Sequence, residues 1–267
     1  MKSHPLSWLV LFFLVSPVTH HASEPSDPVQ KLLADVRSQA ETGDAKSEFK
    51  LGRAFYFGRL GVTQDYAAAL KWFRKAAEQN HAPAQYALSV CCEKGQGVAK
   101  DAAEAVKWLS KAVEQNYAPA EYALGICYGR GRGVAKDEVE AVKWFGKAAA
   151  QEHAAAEYAL GVCCMNGQGR AKDPKEGAKW FRQAAEQGEA RAQLAVGGCY
   201  LKGEGVARDK VEAHKWMLLA EAQGVGVAAF GTRSLTPEQI AEAEERAKNF
   251  KPRKVSPSED DFSAGSK

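Results

Sequence analysis

No stretch of the chain is apolar for long enough to cross a bilayer as a helix, which takes about 20 consecutive residues. The clearest apolar run, Leu6 to Val15, stops well short of that. Neither sign of charge dominates: 36 Lys and Arg against 33 Asp and Glu leave a formal charge of +3 on 267 residues. So even a balance demands neither nucleic acid nor an anionic membrane as partner, and charge alone leaves function open. Metal-ligand spacing is missing as well. Neither Cys91-Cys92 nor Cys163-Cys164 has a His or a further Cys where a soft metal would need it, so no metal and no cofactor is expected.

What the chain does have is a period. Trp72, Trp108, Trp144, Trp180 and Trp216 stand 36 residues apart, and so do Asp65, Asp101, Asp137, Asp173 and Asp209. A repeat of that length is one supersecondary unit stacked on itself, so chain length counts units rather than domains. In the second unit Ala84, Ala87, Leu88, Cys91 and Cys92, then Ala105, Trp108, Leu109, Ala112 and Val113, follow the spacing of one buried helical face. Gly95-Gln96-Gly97-Val98 lies between the two faces and permits a tight reversal. The fold class expected is all-α, a right-handed α-solenoid of helix-turn-helix repeats.

Local chemistry supports the same reading. Asp101 is placed to cap the second helix, with Glu104 returning the bond in a capping box, and the pair recurs at Asp137 and Glu140, Asp173 and Glu176, and Asp209 and Glu212. Such carboxylates are structural rather than an acid and base pair. Asn80, Asn116, Gly188 and Gly224 sit where a left-handed residue closes a helix, with Glu152 as the exception. Small residues recur inside the first helix at Gly52, Ser89, Gly125, Gly161 and Gly197, which implies close approach of the second helix. The indoles are then expected to fill the space between units.

The organisation expected is a secretory signal over residues 1–22, a capping helix over 27–43, and five units at 44–80, 81–116, 117–152, 153–188 and 189–224. More polar capping helices follow over 225–250, and a disordered tail over 251–267. The signal implies an exported protein, periplasmic or secreted, with no membrane span after its removal.

The motif Leu124-Gly125, Tyr128, Gly131-Arg132-Gly133-Val134, Asp137, Ala141, Trp144 and Lys147-Ala148-Ala149 resembles the Sel-1-like repeat, a 36-residue relative of the tetratricopeptide hairpin. Unit one departs from it by an extra residue in Gly58-Arg59-Leu60-Gly61. The resemblance implies an adaptor whose first helices line a concave groove that binds a protein or peptide. Carried onto this chain, the groove positions are Tyr86, Val90 and Glu93, then Tyr122 and Ile126, then Tyr158, Val162 and Met165, then Leu194 and Leu201. Helix geometry agrees, because Tyr86 lies two residues, about 200°, round from Ala84. The alternative, that these tyrosines pack against neighbouring first helices, stays open on the sequence.

Two other classes fit the residues less well. The resemblance also implies β-lactam binding or hydrolysis, and Ser47-Glu48-Phe49-Lys50 fits Ser-x-x-Lys, but no Ser-Asp-Asn or Lys-Thr-Gly accompanies it. His81, His153 and His214 assemble into no nucleophile, base and orienting group, so an enzyme is not expected. RNA binding by a helical repeat is disfavoured by the near-neutral charge and the export signal. The six cysteines all fall on first helices, where equivalent positions stand about 8–10 Å apart, beyond disulfide reach. Six reduced, buried thiols are expected.

Overall fold

The computed structural model describes residues 27–226, 235–253 and 262. The expected signal segment lies outside these residues, as do residues 227–234 of the expected capping helices and most of the expected disordered tail. Among the described residues there are twelve helices and no strand. Helix α1 (Pro28–Glu41) precedes five hairpins: α2 (Ala45–Phe57) with α3 (Tyr66–Glu78), α4 (Ala82–Lys94) with α5 (Ala102–Val113), and α6 (Ala118–Arg130) with α7 (Glu138–Ala150). Then come α8 (Ala154–Asn166) with α9 (Pro174–Glu186), and α10 (Ala190–Lys202) with α11 (Lys210–Glu221). Helix α12 (Pro237–Lys248) follows. Each hairpin packs on the next, α1 covers α2 at one end and α12 covers α11 at the other, giving an all-α solenoid.

The second helices start where an aspartate accepts the free amides of the first turn. Asp101 takes Ala103 and Glu104, Asp137 takes Val139 and Glu140, and Asp209 takes Val211 and Glu212. The reciprocal half of the expected capping box does not form in these helices. Glu104, Glu140, Glu176 and Glu212 turn instead to the lysine three residues on, at 3.1, 2.8, 3.5 and 2.8 Å. A lysine ammonium on the same face competes for a carboxylate that a backbone amide would otherwise hold. Both halves of the box are present at α12, where Thr236 and Gln239 cap each other. At the far ends, Glu152 adopts the same left-handed backbone (φ 58°) as Asn80 (63°) and Asn116 (55°). The exception is thus one of residue type and not of conformation.

The hairpin seam explains the small residues. A Cβ on Gly125 would lie 2.6 Å from the ring of Phe145, and Gly52 and Gly161 face Phe73 and Phe181 in the same way. The unit with Ser89 carries Leu109 in place of the ring, and Gly197 faces Met217. The side chain that fills each seam is therefore the residue after the tryptophan: Phe73, Leu109, Phe145, Phe181 and Met217 are buried. Four of the five indoles are half-buried, and Trp216 alone is buried, at 2% exposure. They do lie between units. Trp108 packs on the cluster of Phe49, Phe73 and Leu88, Trp144 on Leu109 and Leu124, and Trp180 on Phe145 and Leu160. Lys75, Lys111 and Lys147 cover the outer faces of Trp72, Trp108 and Trp144 at 4.2, 4.3 and 4.0 Å from the ring centres.

A second joint comes from the loops. Gly133 (φ 71°) lies against the backbone of Ala102, the first residue of α5, so closely that a Cβ would enter the carbonyl. The loop of one unit thus rests on the second helix of the unit before it, and the same contact recurs at Gly97, Gly169 and Gly205.

The seam sets opposite signs for two glycine replacements in neighbouring helices. Gly146→Ala, on open surface in α7, should raise stability by about 0.5–1 kcal/mol through helix propensity. Gly161→Ala gains the same propensity but overpacks Phe181, at a cost of about 1–3 kcal/mol. Urea unfolding should therefore give a higher midpoint for the first variant and a lower one for the second.

Candidate functional site

The first helices α4, α6, α8 and α10 turn one edge away from their hairpin seams, and all ten residues assigned to the groove from the sequence are half-buried. Between α6 and α8 a groove of about 440 Å³ is lined by Tyr122, Ile126, Tyr158 and Val162, with Arg130, Glu138, Gln168 and Arg191 also on its walls. A smaller cleft of about 50 Å³ between α4 and α6 takes in Tyr86, Val90 and Glu93, and Glu93 pairs there with Arg132 at 2.8 Å. Seven of the ten residues named from the sequence thus meet in two adjoining depressions.

The other three do not line these depressions. Met165 packs over Gly177 of α9, the one unit where that register lacks an alanine methyl, and so fills its own seam. Leu201 packs on the cluster of Val196, Tyr200 and Trp216. Leu194, in the tyrosine register of α10, is half-buried outside both lining sets.

Tyr122 and Tyr158 pack on the second helices of their own hairpins and also line the groove. Tyr122 is tilted against Phe145 and His153, with ring centres 5.8 and 5.1 Å away. Tyr158 lies 5.6 Å from Phe181, and the Arg191 guanidinium sits 5.0 Å from its ring centre. Each ring rests partly on a seam and still forms groove wall. Arg191 is held by Glu189 at 2.7 Å, so an oriented cation stands beside an aromatic surface.

The nucleophilic and acid–base groups are placed otherwise. Ser47 is buried near the start of α2, where its hydroxyl donates to Gln39 Oε1 at 2.9 Å, while Lys50 is exposed. His214 is buried within α11. All six cysteines are free and buried, and burial pushes Cys91 up to about 12 and Cys127, Cys163 and Cys199 up to about 11. Among the described residues no three His, Cys, Asp or Glu gather as a metal site, and no helix is long and apolar enough to cross a membrane.

A polar column with one buried side chain in each unit was not legible in the sequence. Gln79, Gln115, Gln151, Gln187 and Gln223, at the ends of the second helices, donate to Glu48, Gln85, Glu121, Glu157 and Gln193 at 2.7, 2.8, 2.7, 2.8 and 2.9 Å. Each bond ties the end of the second helix to the start of the first in its own unit. Apolar periodicity passes over such residues, although the five glutamines do share the 36-residue spacing. Desolvation raises the carboxyls of Glu48 and Glu121, and takes Glu157 to about 7.

A family model described as Sel1 repeat matches residues 45–81, 82–117, 118–153, 154–189 and 190–225. Among solved structures, the chain is similar to a protective antigen present in uropathogenic Escherichia coli strains displaying an SLR fold. Identity is 34% with a TM-score of 0.73, over 83% of this chain and 48% of that one. It is also similar to a Sel1 repeat protein from Oxalobacter formigenes, at 29% identity and a TM-score of 0.72, over 82% of this chain and 94% of that one. Among curated proteins, it is 34% identical over 59 residues to the ERAD-associated E3 ubiquitin-protein ligase component HRD3A of Arabidopsis thaliana, covering 22% of this chain and 9% of that one. With DAP3-binding cell death enhancer 1 of Rattus norvegicus it shares 42% over 53 residues, 18% of this chain and 10% of that one. The chain spans about a tenth of the length of these curated relatives and about half that of the antigen.

The column gives a pH prediction. Folding favours the protonated form of Glu157, so the stability this group contributes is full below its ordinary value of 4.5 and lost as pH rises through about 7. Glu157→Gln copies the amides that units two and five already carry as Gln85 and Gln193. Thermal unfolding at pH 8 should show the variant more stable by on the order of 2 kcal/mol. Near pH 4 the two proteins should coincide.

Proposed function

Because the chain belongs to the Sel1 repeat family, we propose that it is a non-enzymatic interaction scaffold that holds a segment of another protein against its first helices. The observation that carries this reading is the groove of about 440 Å³ between α6 and α8, walled by Tyr122, Ile126, Tyr158 and Val162. A half-buried aromatic pair flanked by aliphatic side chains and an oriented guanidinium suits a peptide with both apolar and polar groups. The relatives' names point the same way, one being a ligase component and another a DAP3-binding protein. Export through residues 1–22, to a periplasmic or secreted location, belongs to the same proposal.

The rival readings have less to stand on. A β-lactam enzyme needs an accessible nucleophile, and the Ser47 hydroxyl is buried and engaged by Gln39. For RNA the groove lacks a cationic track, since Arg130 and Arg191 stand beside Glu138.

Photo-crosslinking side chains at Ile126 and Val162 should trap a common protein partner from the native source, while the same probe at exposed Lys107 or Lys143 traps none. Tyr122→Ala with Tyr158→Ala should cut that yield by about tenfold or more. Loss of their ring contacts should cost about 1–3 kcal/mol in stability. Equal yields from groove and outer positions would contradict the proposal.

A further inference from the structure

One side chain of the tail, Phe262, packs between the first hairpin and α4. Phe262 is 4% exposed. Its ring centre lies 4.9 Å from Tyr56, 5.5 Å from Phe57, 5.6 Å from Phe73, 6.2 Å from Tyr86 and 6.5 Å from Phe49, with Tyr56, Phe73 and Tyr86 meeting it edge-on. The tail is also attached upstream. The Arg253 amide donates to the Glu186 carbonyl at 2.7 Å, its guanidinium pairs with Glu152 at 3.2 Å, and Pro252 lies beside Gly188.

The pocket that takes Phe262 is peculiar to unit one. Allowing for the extra loop residue, Tyr56 stands where later units have Glu93, Gly129, Met165 and Leu201, and Phe57 where they have Lys94, Arg130, Asn166 and Lys202. A helix that elsewhere ends in polar side chains here ends in two rings. Arg53 replaces the aliphatic Val90, Ile126 and Val162, and its guanidinium lies 5.7 Å from the Phe49 ring centre. Arg59, in the extra-residue loop, lies 5.2 Å from Phe57. The sequence that leads into Phe262 is Glu259-Asp260-Asp261, opposite in sign to this pair of guanidiniums.

We propose that the first hairpin is a recognition socket for a phenylalanine preceded by carboxylates, and that Phe262 fills it in cis, as an internal competitor of a partner segment with the same chemistry. This rests on the reading that the first-helix face holds a protein segment, and it names the segment's class. Edge-on aromatic packing supplies affinity, and the paired guanidiniums supply preference for acidic neighbours. A tethered occupant at high effective concentration lowers the apparent affinity for any competitor by the fraction of sockets left open.

The test uses a labelled synthetic peptide with the sequence of residues 256–267, titrated by fluorescence polarisation into the full chain and into its Phe262→Ala variant. The variant should bind the peptide about tenfold or more tightly than the unmodified chain. A peptide with alanine for its phenylalanine should not bind, and one with amides for its three carboxylates should bind more weakly with less dependence on salt. A second variant, Asp260→Lys with Asp261→Lys, keeps Phe262 and should also bind the peptide more tightly than the unmodified chain. Circular dichroism should show both variants folded at the assay temperature. Equal affinity of the peptide for all three chains, or no binding to any, would overturn the socket. A dimer of the unmodified chain that dissociates on Phe262→Ala would overturn occupancy in cis. Retained crosslinking at Ile126 and Val162 alongside absent peptide binding would reject this proposal alone and leave the groove reading in place.

Discussion

In three of the five hairpins an aromatic ring of the second helix lies on bare backbone of the first, at Gly52, Gly125 and Gly161. Glycine inside a helix costs about 1 kcal/mol relative to alanine, whereas a fully buried phenylalanine contributes about 1.5–3 kcal/mol. The exchange favours the seam, and it fixes the hairpin's geometry because only one approach of the two helices closes the gap. The unit with Ser89 keeps the balance by carrying the smaller Leu109, and the unit with Gly177 keeps it by laying Met165 over the vacated space.

Neighbouring hairpins are joined by different contacts: a loop glycine set against the preceding second helix, and an indole laid across the preceding core. The glutamine column locks the open end of each unit. Ile126 and Val162 are half-buried on the groove side of the first helices. That side lines the groove between α6 and α8, and at the other end of the array Phe262 packs against the ring of Tyr56.

The period, the helix pairs, the aspartate caps and the seam glycines were legible in the sequence because each follows from spacing or from a backbone rule applied to one residue type. The buried face of the second helices was legible only to within one position. Trp108 and Leu109 are adjacent apolar residues about 100° apart, and either can face the seam on periodicity alone. The seam takes the residue opposite the glycine, which leaves the indole at the joint. Buried Glu121, Glu157 and Gln193 escaped notice because a hydrophobic pattern counts polar residues as surface. Met165 shares the register of groove residues such as Glu93 but is drawn inward by Gly177, a consequence of a neighbour 12 residues away. Phe262, a single ring in a polar tail, carries no period at all. Its partner rings at Tyr56 and Phe57 do show in the sequence, as departures of unit one from its own repeat.

The thiols offer the most direct measurement of whether buried seams hold the whole stack together, since units two to five each carry at least one: Cys91 and Cys92, Cys127, Cys163 and Cys164, and Cys199. Rates of thiol labelling under native conditions and in rising urea report the free energy of opening unit by unit. The expected result is that all six stay far below the rate of an unfolded thiol without denaturant, and that the rates rise only as the seams open. Labelling of Cys127 or Cys163, in the middle of the array, at the unfolded rate in buffer alone would contradict it.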